Sequence, residues 1–160
     1  MDDFLNFDEP DVDAILERCR VFLDITIYNR IDCGFTEWRK RLPAQGRGVY
    51  LIHDEQGLIY IGKGIVKVRT DKHEQKITDT RKHGQPEPQG WKWLRLVQKP
   101  DITKWKLTAL YLDSKSGETA LEGCLIHFLQ PVVNEETFTG VFPPEMLLDD
   151  TVYQDNEGSI

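Results

Sequence analysis

The sequence predicts an α/β protein of the α+β type: a small, three-stranded, mainly antiparallel sheet flanked by helices, with a helical extension before it. Three observations predict this. Two β-rich runs, Val49-Tyr50-Leu51-Ile52-His53 and Leu58-Ile59-Tyr60-Ile61, are separated by Asp54-Glu55-Gln56-Gly57, which is a hairpin signal. A third run, Trp105-Lys106-Leu107-Thr108-Ala109-Leu110-Tyr111-Leu112, alternates as a strand does. Apolar residues recur at helical spacing on either side, at Ile15, Leu16, Cys19, Phe22 and Leu23, and at Ala120, Leu121, Cys124, Leu125, Phe128 and Leu129.

The first helix is expected over about 11–29, with Asp11 or Asp13 as its cap. A shorter helix over 36–42 opens at Thr36 and closes at Pro43. In the hairpin, a three-residue loop with Gly57 in the left-handed conformation pairs Asp54 with Leu58. Counting back, Ile52 faces Tyr60 and Tyr50 faces Gly62. Tyr50 and Tyr60 then project from one face, and Gly62 leaves space beside the Tyr50 ring. A slip of one residue would send the tyrosines to opposite faces. A helix over about 64–82 carries Arg69 and His73, four apart and hence neighbours. A loop over 83–90, a short helix over 91–97 and the third strand come next. The last helix, over 117–130, is capped by Ser116 and stopped by Pro131. This divides the chain into a helical extension (1–45), a core (46–136) and an acidic tail (137–160), the tail expected to be partly disordered beyond about residue 149.

A length of 160 residues suits one domain with a sizeable core. No apolar run approaches the ~20 residues of a membrane span. The start, Met1-Asp2-Asp3-Phe4, lacks the basic beginning and apolar middle of a signal peptide. A cytoplasmic protein without a membrane partner is therefore expected. The cysteines Cys19, Cys33 and Cys124 are odd in number and form no C-x-x-C pair, which argues against a zinc ribbon. They are expected to be reduced and mostly buried.

A net charge of −7 runs against a nucleic-acid partner, but its distribution does not. The first seventeen residues and the tail after Asn134 carry acidic residues and no Lys or Arg. Between them, residues 63–100 hold ten basic residues against four acidic ones, so a basic middle lies between two acidic ends. The plain alternative is a solvated charged surface.

Gly48-Val49-Tyr50 and then Tyr60-Ile61-Gly62 resemble the paired signature of the GIY-YIG nuclease superfamily. Two tripeptides are a modest signal; three further elements, in the family's order, sharpen it. Arg69-x-x-x-His73 resembles the family's Arg and His on the first helix. Glu122-x-x-Leu125-Ile126 resembles its metal-binding Glu, and Pro131-Val132-Val133-Asn134 its closing Pro-x-x-Asn. Arg69 comes after Tyr60 about one residue sooner than in the commonest members, with the Arg-to-His spacing kept.

The resemblance implies a metal-dependent endonuclease that hydrolyses phosphodiester bonds, with DNA the expected substrate. Attack would be in line, leaving a 5′-phosphate and a 3′-hydroxyl. The residue types suit that chemistry, which needs charge neutralisation, a cation on the non-bridging oxygens and a group to deprotonate water. Glu122 would be the sole protein ligand of one Mg²⁺ or Mn²⁺, completed by waters and phosphate oxygens. Arg69 would pair with the phosphate. Tyr50 would hold or deprotonate the attacking water, assisted by His73, Tyr60 or Lys63, and Asn134 would support the site from behind. Lys63, Lys67, Lys72, Lys76, Arg81, Lys82, Lys92 and Arg95 are the expected nucleic-acid contacts, with residues 76–100 as the facing element.

Each residue also has a plainer reading. The tyrosines could be half-buried strand residues. Arg69 and His73 could form a solvated helix face, and Asn134 could be a turn residue. Glu118 rivals Glu122 as a ligand, although its place in a first turn suits the helix dipole. Trp91, Trp93 and Trp105 could stack bases, but core packing is the stronger expectation. No separate DNA-binding domain is apparent, so specificity is expected from the N-terminal helices, the basic insert, a homodimer or a partner protein. The rival function classes are a catalytically silent nucleic-acid-binding module, a protein-interaction domain using the acidic ends, and an enzyme acting on RNA.

Overall fold

Strand β2 (Arg47–His53) lies inside a four-stranded sheet of order β1-β4-β2-β3, antiparallel at every pairing. The other strands are β1 (Asn29–Gly34), β3 (Leu58–Ile65) and β4 (Lys106–Tyr111). This computed structural model describes residues 11–80 and 87–147. The three expected strands are β2, β3 and β4. The fourth corrects the three-stranded expectation, because β1 arises inside an extension read as helical. It pairs with β4 along its full length, from Asn29 opposite Tyr111 to Gly34 opposite Lys106. As an edge strand, β1 is covered on one face only: Ile31 and Cys33 pack inward, while Asn29, Arg30 and Asp32 are exposed. Its polar alternation is too weak to announce a strand before β4 is there to pair with it.

The first helix, α1 (Val12–Leu23), ends six residues before the expected 29. Asp24, at φ +53°, turns the chain out of it. Ile25 and Ile27, in the connection to β1, then pack against the core beneath the sheet. Asp11 is its cap, accepting from the Ala14 N–H at 3.2 Å. A 3₁₀ turn (Phe35–Glu37) leads into the short α2 (Trp38–Arg41), close to the helix expected over 36–42.

The hairpin keeps the predicted register where it matters: Tyr50 faces Gly62 and Ile52 faces Tyr60. Its tip differs. A register shift comes after Ile52, so His53 rather than Asp54 pairs with Leu58, and the loop has four residues. Asp54 closes it by accepting from the Gln56 and Gly57 N–H groups at 2.8 and 2.9 Å. Helix α3 (Val66–Ile77) is shorter than the expected 64–82, since Gly64 and Ile65 still belong to β3. Much of the expected 83–90 loop falls outside the described residues. Helix α4 (Gln89–Trp93) continues into a wide turn at Leu94–Gln98. Helix α5 (Lys115–Leu129) starts two residues early, because Ser114 rather than Ser116 caps it, through the Gly117 N–H at 3.0 Å. A short α6 spans Pro144–Leu147, and the disorder expected beyond residue 149 lies outside the described residues. Among the described residues no helix is long and apolar enough to cross a membrane.

The sheet divides two apolar cores. One face packs Tyr50, Ile52, Leu107 and Ala109 against Phe35, Trp38, Val66, Trp91 and Trp105. The other packs Val49, Leu51, Ile61 and Leu110 against α1 and α5, through Leu16, Cys19, Leu121, Leu125, Ile126 and Leu129. Trp91 and Trp105 are therefore core residues, as the stronger expectation held. At Gly48 the main chain of β4 leaves no room for a side chain. A Cβ there would strike the Leu110 carbonyl oxygen, a main-chain atom of β4 that cannot step aside. Gly48→Ala is expected to destabilise the fold by about 2–3 kcal/mol, read as a lower urea midpoint.

Candidate active site

Three segments supply one cluster on the α3 face of the sheet. Tyr50 comes from β2 and is fully enclosed, Tyr60 comes from the edge strand β3 and is half-buried, and their rings lie 6.1 Å apart. Gly62 makes this arrangement possible, since a Cβ there would collide with the Tyr50 hydroxyl. His73 rises from α3 into the same space and is fully buried. Its Nε2 lies 2.6 Å from the Tyr50 hydroxyl. Trp91 stacks on its ring at 4.6 Å and 12°, and Tyr60 meets it edge-on at 4.7 Å. Arg69, one turn earlier on α3, lies against both tyrosine hydroxyls. Its Nε is buried and has no hydrogen-bond partner among the described residues.

Burial holds the His73 pKa well below the usual histidine range, and Lys76 and Arg69 push the same way, so the ring is neutral. Lys76 Nζ lies 3.5 Å from His73 Nδ1. An ammonium group can only donate, so while charged it makes Nδ1 the acceptor and leaves the proton on Nε2. His73 then donates to the Tyr50 oxygen. Lys76 is itself pushed down to about 8, by burial first and then by Arg69 and Lys72. Burial, then Tyr60, raises the Tyr50 pKa well above its ordinary value, with Arg69 opposing. Tyr60 is raised too, again chiefly by burial. Tyr50, expected to meet the attacking water, is enclosed in the structure. Its hydroxyl is sealed behind its neighbours, and Tyr60 is the tyrosine with solvent access.

Glu122 projects from α5 and is half-buried. Burial raises its pKa; Lys63 and Arg69 lower it, whereas Glu136 and Glu118 raise it. Lys63 is held nearby by donating to the Thr119 hydroxyl of α5 at 2.7 Å. Among the described residues no hydrogen bond or ion pair engages the Glu122 carboxylate. Glu118, its rival, is committed elsewhere: its enclosed carboxylate accepts from Arg47 Nε at 3.3 Å and Nη2 at 3.2 Å. Among the described residues no group of three or more His, Cys, Asp or Glu could cage a metal. A hard cation that keeps most of its waters needs only one or two carboxylates. Glu122 fits that sparse set, with the exposed Glu136 in electrostatic reach. Sequence reading missed Glu136, whose one signal is its place two residues after Asn134.

Asn134 is buried and clips β3. Its Oδ1 accepts from the Ile61 N–H and its Nδ2 donates to the Ile61 carbonyl, both at 2.8 Å. The adjacent Val133 N–H bonds to the Ile59 carbonyl at 2.9 Å. Asn134 therefore fixes the backbone between Tyr60 and Gly62 and does not approach the cluster itself.

The basic residues separate. Lys63 and Lys72 are exposed, while Lys67 and Lys76 are partly covered, Lys67 donating to the Arg39 carbonyl at 3.0 Å. Lys92 is fully buried and offers nothing to a nucleic-acid strand, which corrects its assignment as a contact. Arg95 pairs with the enclosed Glu87 at 2.7 Å and with Asp79 at 3.6 Å. Arg81 and Lys82 lie outside the described residues. A broad open depression of about 1190 Å³ is lined by residues such as Asp32, His53 and Lys106 and includes none of the cluster. The cluster is the stronger candidate, because polar groups with perturbed pKa values converge there.

Compared with known proteins, the chain matches no family model, no curated protein and no solved structure.

Asn134→Ala leaves two buried main-chain groups of Ile61 without partners and is expected to cost about 2–4 kcal/mol in urea unfolding. Asn134→Asp should not rescue it, because a carboxylate would face the Ile61 carbonyl. A second expectation concerns Lys76. Its folded pKa lies below the unfolded value, so the cost of burying its charge is full below pH 8 and gone above 10.5. Lys76→Met should therefore be more stable than wild type at pH 7, by on the order of 1 kcal/mol after solvent screening. Parallel urea unfolding at pH 7 and pH 10 should show that advantage shrinking.

Proposed function

We propose that this chain is a metal-dependent endonuclease of the GIY-YIG type, cutting nucleic-acid phosphodiester bonds, with DNA the expected substrate. One observation carries the reading: Tyr50, Tyr60, Arg69 and His73 converge from β2, β3 and α3, with the Glu122 carboxylate, unpaired among the described residues, in electrostatic reach. Strands β4, β2 and β3 would then be the family's three-stranded sheet, with β1 added at its edge.

Glu122, with Glu136 beside it, would hold a single Mg²⁺ or Mn²⁺. That ion would supply charge neutralisation at the phosphate and a water of lowered pKa. Arg69 would bind the non-bridging oxygens, which suits a guanidinium with an unused N–H. A phosphate would draw Arg69 off the tyrosines and open the Tyr50 hydroxyl toward the attacking water. The His73 Nε2–H would steady negative charge on the Tyr50 oxygen as the water loses its proton. Tyr60 would orient the water from the solvent side, and the apolar wall of Trp91 would keep His73 neutral. The products would carry 5′-phosphate and 3′-hydroxyl ends.

A second reading draws on the charges. With Lys92 buried and Arg95 paired, the basic footprint is thinner than the sequence count implies, which favours a protein-binding module.

The test is plasmid nicking with Mg²⁺ or Mn²⁺. Glu122→Ala and Arg69→Ala should abolish it, and Tyr50→Phe and Tyr60→Phe should each slow it about 100-fold. Glu118→Gln should lower the melting temperature yet retain cutting. DNA binding without cutting under either metal would establish the silent module. Absence of DNA affinity at low salt would establish the protein-binding one.

A further inference from the structure

The contact between α1 and α5 contains a feature the nuclease reading does not use. Cys19 and Cys124 face each other with sulfurs 2.7 Å apart, and both are free thiols. A disulfide needs ~2.05 Å, so only a small further approach separates the pair from a bond. Cys19 is almost wholly enclosed, while Cys124 is half-buried. A pocket of about 320 Å³ is lined by both cysteines, with Ile15, Arg18, Phe22 and Phe128 completing its wall. Phe22 and Phe128 are 84 % and 58 % exposed, so the way in is open. Cys33 cannot compete, since it packs with the core on the other face of the sheet.

We propose that Cys19 and Cys124 are a reversible redox pair that closes to a disulfide and pins α1 to α5. The oxidant is a low-molecular-weight disulfide such as oxidised glutathione, whose carboxylates suit Arg18. The thiolate of Cys124, the accessible member, attacks one sulfur of that disulfide and expels the first small thiol. Cys19 then gives its proton to water, and its sulfur attacks Cys124 Sγ, expelling the second small thiol. Two protein thiols and one small disulfide become one protein disulfide and two small thiols. The order of attack agrees with burial and the Cys124 contact, which push the Cys19 thiol up to about 12 and leave it to react only once its partner is held beside it. The bond would close a loop between residues 105 apart, joining the N-terminal extension to the helix that carries Glu122.

The test uses the reduced full chain and oxidised glutathione in excess, and needs no nuclease activity. Free thiols should fall from three to one, and peptide mapping should find a Cys19–Cys124 link. The melting temperature should rise by about 5–10 °C and return on reduction. Cys33→Ser should fall from two thiols to none with the same rise, whereas Cys124→Ser should keep both of its thiols and its melting temperature. Three surviving thiols, a stable glutathione adduct on Cys124, a link through Cys33 or a disulfide between two chains would each overturn the proposal.

Discussion

Strand β2 has no free side. It lies between β3 and β4, and Gly48 to Ile52 are all buried. Its alternate residues feed two different cores, so moving it by one residue would exchange them. That constraint fixes Tyr50 on the α3 face and Val49 and Leu51 on the α1/α5 face. Everything proposed for the site inherits it. His73 can meet the Tyr50 hydroxyl only because the ring lies across β3 at a glycine. Glu122 comes from the opposite face, where α5 runs against the same strand.

The hairpin register and the stripe of α5 were legible in the sequence because both are local periodic patterns, of two residues and of 3.6. The tip of the hairpin was not, because a bulge depends on how Asp54 satisfies the turn's N–H groups, which alternation does not encode. Strand β1 was hidden for another reason. An edge strand covered on one face needs little hydrophobicity, and its pairing partner lies nearly eighty residues away in β4. The end of α1 was missed because Asp24 in a left-handed conformation is a less familiar stop than Gly or Pro.

The cluster was legible as residue types and partly as neighbours. Arg69 and His73 share a helix face, and Tyr50 and Tyr60 share a sheet face. What spacing could not supply is charge state. Lys76 reads as one more surface lysine, yet it lies against Nδ1 of a buried histidine and decides where that ring keeps its proton. Lys92 reads the same way and is enclosed. Long aliphatic stems let lysines follow apolar surface, so a count of positive residues overstates the positive field. Glu118 and Glu122, one turn apart on α5, show the converse: one is matched by Arg47, and the other has no matching cation bonded to it among the described residues.

The clip made by Asn134 also has a consequence for how this protein meets others. A sheet offers its outermost main-chain groups to any extended segment that arrives. On β3, Val133 and the Asn134 amide already occupy those groups at Ile59 and Ile61, as a short surrogate strand would. The margin beside the tyrosines is thereby sealed against strand addition and self-templated stacking. The opposite margin, β1, relies on the charges of Arg30 and Asp32 instead, a softer guard that salt can weaken. Among the described residues, β1 is therefore the margin left for association through the sheet, and it lies away from the tyrosines.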